Sequence, residues 1–344
     1  MAGATAETPG AMSFLVPRGQ SRKHVALACA GVLALALIGL LTMMFGAVNL
    51  SAGEALSGLA ASSDSLSGLV VGQIRLPRFL DAILVGGALG VAGALLQGVT
   101  RNPLGDPTIF GLTAAAGLAT ATAISINPQI PQWGITLAAM IGGLGGAGIL
   151  FVIAYRGAVS PVRLALAGVA LSALFGAITV GLLASVRTFI QTTLGFLAGG
   201  LYGADWADLY SILPYALPAL VAAVALSGRL NVLSLGDDVA TGLGVLADRT
   251  RLAILVVAGV LTASAVAVAG LVGFVGLLSP HVARYISGSD NRYLIPASAL
   301  VGAIIVTAAD LVAKLVITPS EIPMGIITAA LGAPFLLYLV RFKV

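Results

Sequence analysis

Apolar stretches of about 20 residues recur along the whole of this 344-residue chain, and each is long enough to cross a bilayer as a helix. Hydrophobic residues make up 59% of the sequence, whereas charged residues make up only 9%. A soluble core cannot absorb that much apolar surface. Because a helix satisfies its own backbone hydrogen bonds in lipid, the pattern predicts an all-α, polytopic membrane protein. The 44 glycines favour a tightly packed bundle, since small residues let membrane helices approach closely.

We predict about ten transmembrane helices in a single membrane domain that covers residues 24–344. Residues 1–23 are expected to form a mobile cytoplasmic tail, because Gly, Pro, Ala and Ser occur there without a period. The eighth predicted span is short and carries Pro280, His281 and Arg284, so protein must shield it or it must line a cavity. The predicted spans are 24–48, 77–100, 107–125, 134–155, 163–186, 207–227, 251–272, 274–287, 293–314 and 323–341.

The basic residues give the expected orientation. If the N-terminus is cytoplasmic, 13 of the 17 Lys and Arg residues fall in the tail or in loops on the same side. Positive charge is enriched in cytoplasmic loops, so this bias predicts that both termini are cytoplasmic. The four exceptions need a separate explanation, and they are Arg75, Arg78, Arg187 and Lys314. The basic residues are scattered and lack accompanying aromatic residues, which argues against nucleic-acid binding.

A weak internal repeat is also present. The tripeptide Val-Ala-Gly occurs at 91–93 and at 268–270, and a proline follows its valine by twelve residues in both copies. In the ten-span map the two copies run in opposite directions, as in the inverted repeats of many transporters. An alanine-rich chain also produces this tripeptide by chance, so both explanations stay open.

Residues 75–112 form the most specific stretch, RLPRFLDAILVGGALGVAGALLQGVTRNPLGDPTIFGL. Pro77 is expected to begin a helix, because its missing N–H costs little there. Asn102-Pro103 and Asp106-Pro107 bracket a tight cytoplasmic turn, since residues before proline avoid the α conformation. The turn is either an ordinary helix hairpin or a gate that closes a pore. The helix beside it is narrow on one side because that side carries glycines.

A second candidate is the loop at about 233–250, the longest predicted cytoplasmic loop. Asp237 and Asp238 suit the positive N-terminus of a short helix, and Gly244 can end it. Val239, Leu243 and Val245 offer an apolar face. Such a helix is marginal without a partner, so the loop is either a solvated helix or a docking element.

Three further polar residues lie within the predicted spans. His281 has no second His or Cys and no carboxylate pair nearby in sequence, so we expect no metal site. Asp310 is interpreted as a hydrogen-bonding group within the bundle, and Asp81 is expected to pair with Arg78 one turn away. The sequence has no phosphate-binding GxxxxGK[ST] motif and no Ser–His or Cys–His arrangement, so we expect no catalysis and no cofactor in this chain.

The sequence resembles the FecCD family of ABC importer permeases, the transmembrane subunits of type II importers for iron–siderophores, haem and cobalamin. The resemblance rests on the 75–112 stretch and continues through nearly everything after the first span. The further matching segments are LALAGVALSALFGA at 164–177, LSLGDDVATGLGV at 233–245, GFVGLLSPHVARYISGSDNRYLIP at 273–296 and ADLVAKLVITPSEIPMGIITAALGAPFLLYLVR at 309–341.

The resemblance implies a cobalamin-permease-like helical bundle in a bacterial inner or plasma membrane. The implied partners are two ATP-binding cassette subunits, a second permease that is identical or homologous, an extracytoplasmic substrate-binding protein and membrane lipid. ATP hydrolysis is implied to lie on the ATPase subunits. Within this picture the substrate is expected to be a ferric siderophore or a related metal chelate, with haem or cobalamin as the alternative.

The resemblance also implies roles for individual residues. Binding-protein docking is expected at Arg75, Arg78 and Lys314. The cytoplasmic gate and pathway are expected at Asn102, Leu104, Ser172, Gly176 and Thr179. ATPase coupling is expected at Leu235, Gly236, Asp237, Asp238, Ala240, Leu243 and Gly244. The chain departs from the family pattern at Asp81, where an apolar residue is usual, and at Lys314, which lacks the two-pronged grip of arginine on a carboxylate.

Two other classes of protein fit the sequence less well. An ion-coupled secondary transporter usually carries coupling charges near the membrane centre, where this chain offers only Asp310. A purely structural membrane subunit does not explain a coupling-like helix together with basic residues on the opposite side.

Overall fold

The computed structural model describes residues 18–60, 65–185, 195–317 and 320–342, and within these ranges the chain is helical with no β-strand. A π-helical segment, Leu69–Arg75, lies between the third and fourth α-helices. The α-helices are α1 (Arg18–Met44), α2 (Ala52–Ala60), α3 (Leu66–Gly68), α4 (Leu76–Thr100), α5 (Leu112–Ile126), α6 (Gln132–Ala154), α7 (Pro161–Ser185), α8 (Trp206–Ser234), α9 (Asp237–Gly242), α10 (Ala247–Ala269), α11 (Val275–Ser287), α12 (Asn291–Leu315) and α13 (Met324–Phe342).

A helix lies at each of the ten predicted spans. Seven of the described helices are long and apolar enough to cross a bilayer, whereas α5 and α13 are apolar but shorter. The 13-residue α11 is shorter still, in line with the expectation for the eighth span. The chain is therefore an all-α, multi-span membrane protein. Residues 1–17 of the tail predicted at 1–23 lie outside the described residues, and residues 18–23 belong to α1.

Helix α4 lies at the centre of the bundle. It packs against α8, α10, α11 and α12, and most of its side chains are buried. Glycines permit this closeness: a Cβ on Gly86 would lie 2.3 Å from the carbonyl oxygen of Gly302, and one on Gly93 would lie 1.9 Å from that of Gly276. Both distances are far below any tolerated contact, so α4 touches α11 and α12 backbone to backbone.

The start of α4 differs from the prediction in one respect. Pro77 does lie at the beginning of α4, but the chain before it is already helical, because α3 and the π-helical segment run directly into α4. The wider π-helical turn changes the backbone hydrogen-bond register just before the proline. The apolar helical stretch therefore runs from Leu66 to Thr100, well beyond the predicted start at residue 77.

Helix α2 was not predicted at all. Its start carries a capping box, in which the Glu54 carboxylate accepts from the Ser51 backbone N–H at 2.8 Å and Ser51 Oγ accepts from the Glu54 N–H at 3.3 Å. The Ser-x-x-Glu pattern at 51–54 was the sequence signal for it.

The two Val-Ala-Gly tripeptides lie in different local structures. Residues 91–93 are in the middle of α4, whereas Gly270 ends α10 with a φ of 65°. Pro103 lies in a turn, but Pro280 lies inside α11. The inverted repeat gains no support from this pair of motifs.

The bundle has two ends, each named here by one of its residues. The Arg78 end contains the first turn of α4 and the last turn of α12. The Asp237 end contains the last turn of α4, the end of α8, the start of α10 and the whole of α9.

Candidate functional site

A buried charge cluster occupies the Arg78 end. The Arg78 guanidinium donates from Nε and Nη2 to Asp310 Oδ1 at 3.1 and 2.7 Å, and Lys314 Nζ lies 2.9 Å from Asp310 Oδ2. Arg78 Nη2 also lies 2.7 Å from Glu321 Oε2. The side chains of Arg78, Asp310 and Lys314 are less than a tenth exposed, whereas that of Glu321 is 25% exposed. Two cations thus meet two carboxylates, and Glu321 is the most exposed of the four side chains, although the oxygen beside Arg78 is buried.

Arg75 lies apart from this cluster. Its guanidinium donates to the backbone carbonyl oxygens of Met43 and Val48, at and just beyond the end of α1. Its side chain is buried beside Gly46, where a Cβ would lie 3.0 Å from Arg75 Nη2. The structure therefore brings together Arg78 and Lys314 from the predicted docking set, while Arg75 closes the α1–α2 connection.

The prediction that Asp81 pairs with Arg78 is wrong. Asp81 is fully buried, and neither of its carboxylate oxygens has a hydrogen-bond partner among the described residues. Arg78 instead donates two hydrogen bonds to Asp310 on α12. Asp81, which lies on the same helix as Arg78, makes no such contact. Asp310 holds α4 and α12 together, in agreement with its interpretation as a hydrogen-bonding group within the bundle.

The turn between α4 and α5 lies at the Asp237 end. Arg101 ends α4 in the left-handed conformation with a φ of 51°, and the Leu104 N–H donates to Asn102 Oδ1 at 2.9 Å. Gln97 Nε2 donates to the Gly105 carbonyl oxygen at 3.3 Å, and Arg284 Nη2 donates to Gln97 Oε1 at 3.3 Å. The turn is thus tied both to α4 and to α11, and Asn102 and Leu104 are half-buried at its tip.

A buried carboxylate supports the same turn. Asp106 is 3% exposed and accepts from the Thr108 N–H at 2.8 Å. Burial raises the pKa of the Asp106 carboxyl, although the hydrogen bonds from Thr108 act in the opposite direction.

The predicted pathway residues on α7 share one side of the helix, at spacings of four and three residues, but differ in their surroundings. Gly176 faces open space, with nothing within 4 Å of the position of a Cβ. Ser172 Oγ donates to the Thr108 carbonyl oxygen at 2.8 Å, which ties α7 to the chain leading into α5. Thr179 is 1% exposed and donates to the Phe175 carbonyl oxygen of its own helix. The buried position of Thr179 gives no support to its expected place on the pathway.

The predicted coupling loop contains the expected short helix, α9. Asp237 and Asp238 occupy its first turn, and Gly236 and Gly244 flank it with φ angles of 120° and 78°, which favour glycine. Ala240 is fully buried and holds α9 against the bundle. The outward face is apolar: Leu235, Val239 and Leu243 are 64%, 47% and 62% exposed. Val245 is half-buried against the core and contributes less to the outward apolar face than expected.

Asp237 has a role that was not predicted from the sequence. Its Oδ1 accepts from Arg101 Nη2 and from Arg251 Nη2, both at 2.7 Å. Arg101 also donates from Nε and Nη2 to the Leu233 carbonyl oxygen at 3.0 and 2.6 Å. The hydrogen bonds from Arg251 and then Arg101 hold the pKa of the Asp237 carboxyl below its ordinary value. The predicted gate turn and the predicted coupling helix are thus joined by one carboxylate, a pairing that sequence spacing did not reveal.

His281 packs edge-on against Phe335, with ring centroids 5.5 Å apart. Over the ranges that the structure describes, no group of His, Cys, Asp or Glu residues is arranged to hold a metal ion. Arg187 and Lys343 lie outside these ranges.

A close-packed bundle of apolar helices, with buried charges at one end and a protruding short helix at the other, defines a multi-span membrane transport protein. The FecCD transport family matches residues 34–342, and the chain belongs to this family of ABC importer permeases.

Individual relatives agree with this assignment. The chain is 37% identical over 326 residues to the Fe(3+)-citrate import system permease protein YfmE of Bacillus subtilis, which covers 95% of this chain and 97% of the relative. It is 42% identical over 274 residues to the cobalamin import system permease protein BtuC of Halobacterium salinarum, and this match covers 79% of this chain and 73% of the relative. A solved structure of a metal-chelate type ABC transporter in an inward-facing conformation superposes with a TM-score of 0.81 at 30% identity, covering 93% of this chain and 99% of that one.

Proposed function

We propose that this permease carries a ferric siderophore or a related ferric chelate across the membrane. The substrate class is supported by the relative named for Fe(3+)-citrate import, which matches almost the whole of both chains. A cobalamin importer is the second candidate, because the relative with that name is 42% identical, although the match covers less of both chains. Haem stays a further alternative within the family resemblance.

The proposed topology has ten crossings with both termini in the cytoplasm. The Asp237 end is then cytoplasmic and the Arg78 end extracytoplasmic. The distribution of Lys and Arg supports this orientation. Two copies of the permease, or this chain and a homologous one, would enclose the pathway, and the open face at Gly176 of α7 is where the chain would contribute to it.

The observation that carries the proposed mechanism is the ion pair between α9 and Arg101. The outward apolar face of α9 is suited to a groove on an ATPase subunit, and its inward side is fixed to the gate turn through Asp237. Movement of α9 driven by ATP would therefore pull on Arg101, which directly precedes Asn102. ATP hydrolysis is assigned to the partner subunit because this sequence has no phosphate-binding loop motif.

Docking of a substrate-binding protein is proposed at the Arg78 end. Asp310 contacts both Arg78 and Lys314, and Glu321 supplies the second negative charge that balances the two cations. A carboxylate of the binding protein would therefore have to replace Glu321 beside Arg78. Glu321 is suited to such an exchange, since it is the most exposed member of the cluster. Arg75 would act indirectly, by holding the end of α1 beside the docking surface.

Purification of the permease with its binding protein tests the substrate class. We expect mass spectrometry of the ligand released from the binding protein to show a ferric chelate. A corrinoid in its place would support the second candidate, and a binding protein that does not associate with the permease would contradict the docking proposal.

A further inference from the structure

A small cavity lies at the Asp237 end, between the end of α8 and the start of α10. Its volume is about 220 Å³, which is ample for a phosphate group. It does not coincide with the gate turn or with the outward face of α9. The lining residues are Arg229, Gly244, Val245, Leu246, Arg249 and Thr250.

The cavity carries positive charge without a matching carboxylate. Arg229 and Arg249 are exposed, and neither side chain forms an ion pair or a hydrogen bond with any residue that the structure describes. The neighbouring acids are already engaged: Asp248 accepts from the Val159 N–H at 3.1 Å, and Asp237 binds Arg101 and Arg251. Two arginines therefore face the cavity with their charges uncompensated.

Further hydrogen-bond donors point to the same ligand. Thr250 is 5% exposed and lines the cavity, and its hydroxyl has no partner among the described residues. The first turn of α10 also lies here, and its cap residue Leu246 supplies no side-chain acceptor. The first N–H groups of a helix lack intrahelical acceptors and favour an anion.

The adjoining helix faces are suited to acyl chains. On α8, Val221 and Ala225 lie eight and four residues before Arg229, so the three share one face, and Val221 is 70% exposed. On α10, Leu252 and Val256 follow Arg249 on one face and are 38% and 39% exposed. Each arginine thus ends an exposed apolar stripe, an arrangement that fits a lipid headgroup above its tails.

We propose that this cavity binds the phosphate of an anionic phospholipid and so fixes the start of α10 beside α9. The inference rests on the cytoplasmic orientation of this end, where anionic lipids attract basic residues. It does not depend on the identity of the transported substrate.

Native mass spectrometry of the purified complex tests the proposal, with phosphatidylglycerol as the probe and phosphatidylcholine as the neutral comparison. Each of Arg229→Gln and Arg249→Gln should reduce phosphatidylglycerol binding about fivefold, and the double variant about 25-fold. The control is Arg156→Gln, which removes an exposed charge at the same end that does not line the cavity and should leave lipid binding unchanged.

Several results would overturn the proposal. One is unchanged phosphatidylglycerol binding by the double variant, and another is an equal loss in Arg156→Gln. Displacement of the lipid by millimolar inorganic phosphate would assign the cavity to free phosphate. Loss of the ATPase subunit from the double variant, with lipid binding intact, would assign the arginines to a protein carboxylate.

Discussion

Asp237 in the first turn of α9 accepts a hydrogen bond from Arg101 at 2.7 Å, and Arg101 is the residue at which α4 ends. The contact joins the helix proposed to receive force from the ATPase to the turn proposed to close the pathway. Arg251, which is 1% exposed, binds the same oxygen and fixes it to α10. The carboxylate is therefore the point at which three elements meet.

Replacing Asp237 with Asn should uncouple ATP hydrolysis from transport. The buried Arg251 loses the nearer of its two charged partners, since Asp248 Oδ1 remains 3.7 Å from Arg251 Nη1. The cost is about 1–3 kcal/mol, which is less than for a fully buried pair because Asp237 is 42% exposed. The measurement is the number of ATP molecules hydrolysed per chelate transported, which should rise several-fold. Asp238→Asn is the matched control, since Asp238 lies in the same first turn of α9 but forms no ion pair in the described part of the chain. Equal behaviour of the two variants would remove Asp237 from the coupling route.

The contribution of Asp237 should be independent of pH across the physiological range. Its folded-state pKa is lower than the ordinary value of 3.8, so the ionised form is favoured in the folded protein. A carboxyl group whose pKa is lowered by folding stabilises the folded protein at every pH above its ordinary pKa. This stabilisation is lost only as the pH falls through the folded-state pKa. The difference in coupling between the wild type and Asp237→Asn should therefore stay constant from about pH 5 to pH 8. A difference that fades between pH 7 and pH 5 would show that another group carries the effect.

Cysteines placed at the tip of the gate turn should report its movement. Cys29 is exposed and must first be replaced by Ala, after which Asn102→Cys and Leu104→Cys provide single labelling sites. Both positions are half-buried, so a modest movement of the turn changes their reactivity. We expect labelling rates that differ between the ATP-bound and nucleotide-free complex. Ile126→Cys, at the opposite end of α5 and 80% exposed, is the control with a constant rate. Constant rates at 102 and 104 would contradict the gate.

Removing the charge of Glu321 should strengthen docking of the binding protein. Glu321→Gln leaves Arg78 with one fewer competing carboxylate, so the affinity should rise by about 2–10-fold and become more sensitive to salt. Glu54→Gln is the control, because it removes an exposed charge while Gln still serves the capping box of α2. Surface plasmon resonance at low and high salt measures both variants. If Glu321→Gln matches the wild type at low salt, Arg78 does not receive a carboxylate from the binding protein.

Much of the fold could be predicted from the sequence, because helices that cross a membrane need long apolar segments, and these are visible in the sequence. The short helix α9 was also predictable, since its acidic first turn and flanking glycines are local signals. Helix α2 carried the local Ser51–Glu54 signal. The extension of α4 backwards through a π-helical turn had no such signal, because the sequence before Pro77 is apolar in either conformation.

The partners of the charged residues could not be predicted. Arg78 has a carboxylate three residues further along the same helix, at Asp81, and nothing in the spacing favours the distant Asp310 over it. Arg101, Asp237 and Arg251 are likewise joined only by the packing of α4, α9 and α10. Sequence reasoning placed the charged residues at the two ends of the bundle, but the tertiary structure decides which of them neutralise one another.

The most direct test of the account is uptake by proteoliposomes that contain the permease, its ATPase and its partner permease, with the binding protein outside. We predict that a radioactive ferric siderophore accumulates only when ATP is enclosed with the ATPase, and that Asp237→Asn lowers this uptake while ATP hydrolysis continues. Uptake that needs no ATP and follows an imposed ion gradient would contradict the account and identify an ion-coupled transporter.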